Sequence, residues 1–111
     1  MGSVSAMNEI KILSIPFDAI DAGNVAQFRF EIQDAIVEGV RIVLDLSHCE
    51  FVDSAGLGVI VWAVRNLTEL GGELCICGVN KPVRALFELV RMHKIVSTFE
   101  TRQQAVVSLA R

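Results

Sequence analysis

Four runs of β-branched and aliphatic residues alternate along this chain with four longer stretches of helical period, and that alternation leaves few folds open. The clearest run is Arg41-Ile-Val-Leu-Asp-Leu46, of strand length and apolar enough to lie inside a sheet. Before it, Ile10-Lys-Ile-Leu-Ser-Ile15 alternates as a strand that Pro16 ends. Asp21-Ala-Gly-Asn24 supplies turn and N-cap chemistry. Behind it Val25, Phe28, Ile32, Ala35 and Ile36 share one helical face, and Gly39 closes that helix.

After a loop from Ser47 to Asp53, a long helix is expected from about Ser54 to Leu70, stopped by Gly71-Gly72. Leu74 to Val79 reads as a second buried strand. Asn80 caps the next helix, with Pro82 in its first turn and Val83, Leu86, Phe87 and Val90 as its apolar stripe. Ile95 to Phe99 is a short fourth strand. Thr101-Arg-Gln-Gln104 has the pattern of a capping box and opens a last helix with Ala105, Val106 and Leu109 inward. Read this way the order is β-α-β-α-β-α-β-α, with parallel strands joined by helical crossovers.

The 111 residues, 52% hydrophobic and 21% charged, suffice for one domain with its own core. That domain is expected over residues 9–111. Residues 1–8 are small and polar and are read as a flexible terminus, with Met1-Gly2-Ser3 resembling a cloning remnant. Ten Lys and Arg against thirteen Asp and Glu give a net charge of −3 with no basic run, which argues against nucleic acid as a partner. The longest apolar stretch, Ala55 to Val64, is too short to enter and cross a bilayer. No basic-then-apolar leader stands at the N-terminus, so a cytoplasmic location is expected. Cys49, Cys75 and Cys77 lack metal-like spacing and read as buried free thiols. His48 and His93 have no ligand partners at zinc spacing, so no metal is expected.

Chemistry concentrates in Leu44-Asp-Leu-Ser-His-Cys-Glu-Phe-Val-Asp-Ser-Ala-Gly-Leu-Gly58. A buried strand delivers the chain to a loop, and Ser54 opens a helix whose positive end favours a nearby anion. Its hydroxyl can cap that helix or accept a phosphate, and Asp-Ser before a helix is also ordinary capping chemistry. At ~100° per residue, Leu57, Ile60, Val64 and Leu67 turn toward the sheet. Ser54, Gly58, Trp62, Arg65 and Glu69 fall within about 80° of one another on the opposite side. A lone Trp and an Arg on an outward stripe, with a small Gly58 allowing close approach, fit a protein-docking patch. A Trp capped by a neighbouring helix fits the same pattern.

Catalytic constellations are scarce. Nothing in the sequence places His48 or His93 beside Ser54, and Gly-x-Ser-x-Gly is absent. Asp45 and Asp53 near strand ends would need more clustered carboxylates and a Lys to form a phospho-acceptor pocket, and Glu50 is the only further acid nearby. Gly56-Leu-Gly58 fits no dinucleotide or P-loop pattern. The expectation is a protein without enzyme activity, catalytic residues or cofactor.

At these residues the chain resembles the STAS domain family, and within it the stand-alone bacterial anti-sigma-factor antagonists. The resemblance rests on Ile42-Val-Leu-Asp-Leu46, Phe51-Val-Asp-Ser-Ala-Gly-Leu-Gly58, Gly71-Gly-Glu-Leu74 and Val79-Asn-Lys-Pro-Val-Arg-Ala-Leu-Phe87. Asp21-Ala-Gly-Asn24 is similar to the family's entry to its first helix, and the likeness runs over about residues 10–110. It implies a mixed, mostly parallel sheet of four to five strands flanked by four helices, with one antiparallel strand inserted at the edge. It also implies partner switching in transcription regulation, with Ser54 as phosphoacceptor. Asp21, Asn24, Asp53, Ser54, Gly58, Trp62 and Arg65 are the expected partner-binding residues. The implied partners are a serine kinase that doubles as anti-sigma factor, bound when Ser54 is unmodified and released when it is phosphorylated, and a phosphatase that resets the switch. A constitutive STAS subunit of a membrane-lipid ABC transporter, docked on an ATPase through the same helix, is the alternative. The chain departs from the family in carrying Asp18 where a Gly is common, and its N-terminal strand pair looks shortened.

Overall fold

A computed structural model describes residues 9–110. The expected flexible terminus at residues 1–8 lies outside them, as does Arg111. Period-two patterning splits each strand between two faces, and the fold follows from covering both. Strands β1 (Ile10–Ser14), β3 (Arg41–Asp45), β5 (Glu73–Cys77) and β6 (Ser97–Phe99) form one sheet in the spatial order β1-β3-β5-β6. All its pairings are parallel: Ile10 lies opposite Arg41, Arg41 opposite Glu73, and Cys75 opposite Ser97. Two further strands, β2 (Ala19–Ile20) and β4 (Phe51–Val52), pair in parallel as a separate ladder. The antiparallel edge strand implied by the family resemblance is in none of the described pairings.

Helices α1 (Val25–Ala35), α2 (Ser54–Glu69) and α3 (Lys81–Leu89) bury their apolar stripes in one core. Phe28, Ile32, Ile60, Leu67, Val83 and Phe87 meet Ile42, Leu44, Leu74 and Ile76 of the strands there. Each fully buried aliphatic or aromatic side chain contributes roughly 1.5–3 kcal/mol. Helix α4 (Arg102–Leu109) covers the other face, where Ala105 and Leu109 pack on Val43, Cys75 and Cys77. The capping box at its start is formed: Gln104 N–H donates to Thr101 Oγ1 at 3.1 Å, and Thr101 N–H donates to Gln104 Oε1 at 3.3 Å. Asn80 caps α3 by accepting from Val83 N–H at 3.2 Å, and its Nδ2 donates to the Cys49 carbonyl at 3.1 Å. That second bond ties the loop before β4 to α3.

Several boundaries differ from the sequence reading. Helix α1 ends at Ala35, where Ile36 is already extended and the Lys11 ammonium donates to the Ala35 carbonyl at 3.2 Å. Gly39, expected to close that helix, sits with φ 77° in the turn beyond it. The fourth strand is only Ser97–Phe99, since Met92–Lys94 form a 3₁₀ turn that Ile95 N–H closes onto the Met92 carbonyl. Val90 lies past the end of α3 and is 42% exposed, so the stripe of that helix is Val83 and Phe87 with Leu86 half-buried. All three cysteines are buried free thiols. Burial, with Cys77 and Glu73 nearby, pushes the Cys75 thiol up to about 11; burial also raises Cys49 and Cys77. None is set up as a nucleophile at neutral pH.

Asp45, at the end of β3 and only 5% exposed, is the one buried charged residue of the described chain. Its Oδ2 accepts from Arg102 Nε at 2.5 Å and its Oδ1 from Ser47 N–H at 2.9 Å, locking α4 to the sheet. Burial alone would raise the Asp45 carboxyl; the hydrogen bonds from Arg102 and Ser47 outweigh it and leave the group below the usual carboxylate range. A carboxylate lowered by folding stabilises above its unfolded value of about 3.9 and loses that contribution as pH falls through its folded value. Arg102→Gln should therefore be less stable than wild type at pH 7, with the gap narrowing at more acid pH than about 4, in urea unfolding at a series of pH values.

Candidate functional site at the entrance to the second helix

The smallest ladder of the fold assembles this site. In the β2–β4 pair Ala19 lies opposite Phe51 and Ile20 opposite Val52. Asp53 N–H donates to the Ile20 carbonyl at 3.0 Å, and Glu50 N–H donates to the Asp18 carbonyl at 2.7 Å. The register therefore sets the turn that begins at Asp21 beside the start of α2 at Asp53–Ser54. The segment expected as loop, residues 47–53, contains β4, and the residues after Pro16 contain β2. Two-residue strands show no alternation, so their pairing is invisible before the chain is folded.

The turn is self-sewn. Asp21 Oδ1 accepts from Gly23 N–H at 2.8 Å, Asn24 Oδ1 from Asp21 N–H at 3.0 Å, and Asn24 Nδ2 donates to the Ala19 carbonyl at 2.7 Å. Asn24 stands at the N-cap position of α1, but its side chain makes no cap bond there. It spends its amide on holding the turn to β2.

At α2 the capping role also shifts. Asp53 is the N-cap, and its Oδ1 accepts from Ala55 N–H at 2.9 Å and Gly56 N–H at 3.1 Å. Ser54, the first helical residue, is exposed, and among the described residues its hydroxyl has no hydrogen-bond partner. The helix does not need this oxygen. One turn on, Gly56 is buried, and a Cβ there would lie 2.8 Å from both Ile20 Cγ2 and Val52 Cγ1. The missing side chain lets α2 sit directly on the small ladder.

The buried stripe of α2 is Gly56, Val59, Ile60, Ala63 and Leu67. Leu57 and Val64, expected to face the sheet, are only half-buried, because the helix is rolled toward its Gly56–Ala63 side by that close approach. Ser54, Gly58, Arg65 and Glu69 are exposed, and Trp62 is half-buried. The Arg29 guanidinium lies over the Trp62 ring, 4.4 Å from its centroid, a contact worth ~0.5–1 kcal/mol at such a site. Arg29 is a residue sequence reasoning missed; only its position four residues after Val25 on α1 could have pointed to it.

Two grooves flank this helix. Between α1 and α2, Val25, Ala26, Arg29, Ala55, Gly58, Val59 and Trp62 line a hollow of about 410 Å³, and nothing lies within 4 Å of where a Gly58 Cβ would be. Between α2 and α3, a second hollow of about 380 Å³ has Ser54 at its edge. The structure thus sets the Asp21–Asn24 turn beside the helix entrance at Asp53 and Ser54, and places Gly58 and Trp62 in the groove between α1 and α2. Arg65 lies farther along α2 and lines neither groove. Among the described residues no group of His, Cys, Asp and Glu stands close enough to hold a metal, and no helix is long and apolar enough to cross a membrane.

A parallel sheet with three helices on one face and one on the other, its unusual residues gathered at a helix entrance, defines a small α/β protein. Residues 5–105 match the STAS domain family, and the chain belongs to that family. It is 37% identical over 69 residues to the anti-sigma F factor antagonist of Paenibacillus polymyxa, a stretch covering 62% of this chain and 59% of that relative. It is 29% identical over 90 residues to the anti-sigma factor antagonist BtrV of Bordetella bronchiseptica, covering 80% of this chain and 78% of that one. The crystal structure of an anti-sigma factor antagonist from Thermotoga maritima matches with a TM-score of 0.76 at 23% identity, over 90% of this chain and 88% of that one. That likeness is one of fold.

Three substitutions check the geometry. Gly56→Ala should cost ~1–3 kcal/mol in denaturant unfolding, because both neighbours are β-branched core side chains with little room to yield. Asp53→Ala should cost ~1 kcal/mol through the lost cap, whereas Ser54→Ala should change stability by less than about 0.5 kcal/mol.

Proposed function

We propose that this protein is a phosphorylation-controlled anti-sigma-factor antagonist, with Ser54 as the phosphoacceptor. The observation that carries the reading is an exposed, unbonded Ser54 hydroxyl beside an Asp53 that alone caps the helix. A kinase can reach that oxygen, and adding a phosphate removes no bond the fold depends on. The unmodified protein binds a serine kinase that acts as anti-sigma factor, and the phosphorylated protein releases it. A phosphatase restores the bound state. Relatives that carry the name anti-sigma factor antagonist speak for this reading over a transporter subunit.

The chemistry of release is local. A phosphate brings roughly −1.5 to −2 charge and a bulky hydrated group to a position next to Asp53 and near Glu50. Gly58, one turn farther along the exposed side of α2, is where a partner can approach the helix backbone. Trp62, pinned by Arg29, offers a flat apolar face beside it, while Asp21 and Asn24 hold the neighbouring turn in place and Arg65 extends the surface. A loss of only ~3 kcal/mol at this contact weakens binding more than a hundredfold. No step of catalysis is assigned to the protein itself, and it needs no cofactor.

The cognate kinase with ATP should add one phosphate to the wild type and none to Ser54→Ala, read by intact-mass spectrometry. Ser54→Asp should bind that kinase far more weakly than wild type; equal binding by calorimetry would sink the switch. Gly58→Gln should fold at least as stably as wild type, since helix propensity rises by up to ~1 kcal/mol and the space is open, yet bind the kinase at least tenfold more weakly.

A further inference from the structure

Of the residues assigned to the partner contact above, only Asp53 and Ser54 border the groove between α2 and α3. Leu57, Pro82, Val83 and Leu86 line it, and Phe51 and Val90 stand at it 54% and 42% exposed. Large apolar side chains held in water on two sides of one hollow mark an interaction surface rather than scattered surface residues. The only charged residues lining it are Glu50 and Asp53, which come just before Ser54 in the chain. An apolar trough with an acidic mouth is complementary to an amphipathic segment carrying aliphatic residues along one face and Arg or Lys at one end. A second copy of this chain fits poorly, because a two-fold contact through the trough would bring two acidic mouths into one interface.

From this charge pattern we propose that the α2–α3 groove binds a basic, amphipathic helical segment of a partner protein, and that phosphate on Ser54 strengthens this binding. The inference rests on Ser54 being the modified residue, as proposed above. Phosphate placed at the mouth adds acceptor oxygens and charge where the segment's Arg or Lys lies, so the pairing gains charge-assisted hydrogen bonds. The same modification thus acts with opposite sign on the two sides of α2. It expels the partner at Gly58 and Trp62 and retains one at Leu57, Leu86 and Val90. The partner suited to the second groove is one that must find the phosphorylated form.

The test is an amide NMR titration of the full chain, with serine or genetically encoded phosphoserine at position 54. The probe is a synthetic helical peptide with Leu at i, i+3, i+4 and i+7 and two Arg at one end. Saturable shifts at Leu57, Leu86 and Val90 are expected, with at least fivefold tighter binding to the phosphoserine form. Replacing both Arg with Glu in the peptide should weaken binding at least tenfold. Val90→Glu and Phe51→Glu, both at exposed positions, should abolish the shifts while leaving the spectrum folded. Three results would each overturn the proposal: shifts centred on Arg29 and Trp62, equal affinity for Arg and Glu peptides, or no saturation at millimolar peptide. Self-association through Val90 in sedimentation would overturn it too, making the occupant a second copy. Kinase binding that ignores the phosphate would instead defeat the switch itself, whatever the peptide does.

Discussion

The site depends on a ladder of two residues against two. Without β2 beside β4, the turn at Asp21 and the helix entrance at Asp53 would have no fixed relation to each other. The Asp53 N–H to Ile20 carbonyl bond closes that ladder, and the glycine at position 56 lets α2 rest on it. An extra methyl group at Gly56 would press on Ile20 and Val52, both core residues, so the register of the ladder and the seating of the helix are one constraint. Everything placed along the outward side of α2 inherits its position from that contact.

The main architecture was largely legible in the amino-acid order because its signals are strong and local. Ile42 to Leu46 is a run of buried residues, Asn80 and Pro82 announce α3, and Thr101 with Gln104 writes out a capping box. The inward and outward sides of α2 could also be sorted by helical period, and Ser54, Gly58 and Arg65 do face out. What could not be read was the consequence of tertiary contact. The roll of α2 that leaves Leu57 and Val64 half-buried comes from the ladder beneath Gly56. Nor could the sequence show that Lys11 reaches across from β1 to the Ala35 carbonyl at the end of α1.

The division of roles at the helix entrance was hidden for a different reason. Asp and Ser are both good caps, so their order alone does not say which one bonds the free N–H groups. Once folded, Asp53 takes them and Ser54 is left with none of that work. The same ambiguity operates at Asn24, whose side chain serves the turn and not the helix behind it. Arg29 over Trp62 was out of reach as well, since the two belong to helices separated by two strands in sequence and meet only after both have packed on the sheet.

Because Asp53 alone holds the first turn of α2, a covalent mark on its neighbour writes onto atoms outside the supporting framework. Marked and unmarked molecules then share one architecture, and no refolding barrier separates them. If Ser54 is modified as proposed, the lifetime of the signal is set by the enzymes that add and remove the phosphate. On that proposal the protein is a passive token whose timing is set from outside it.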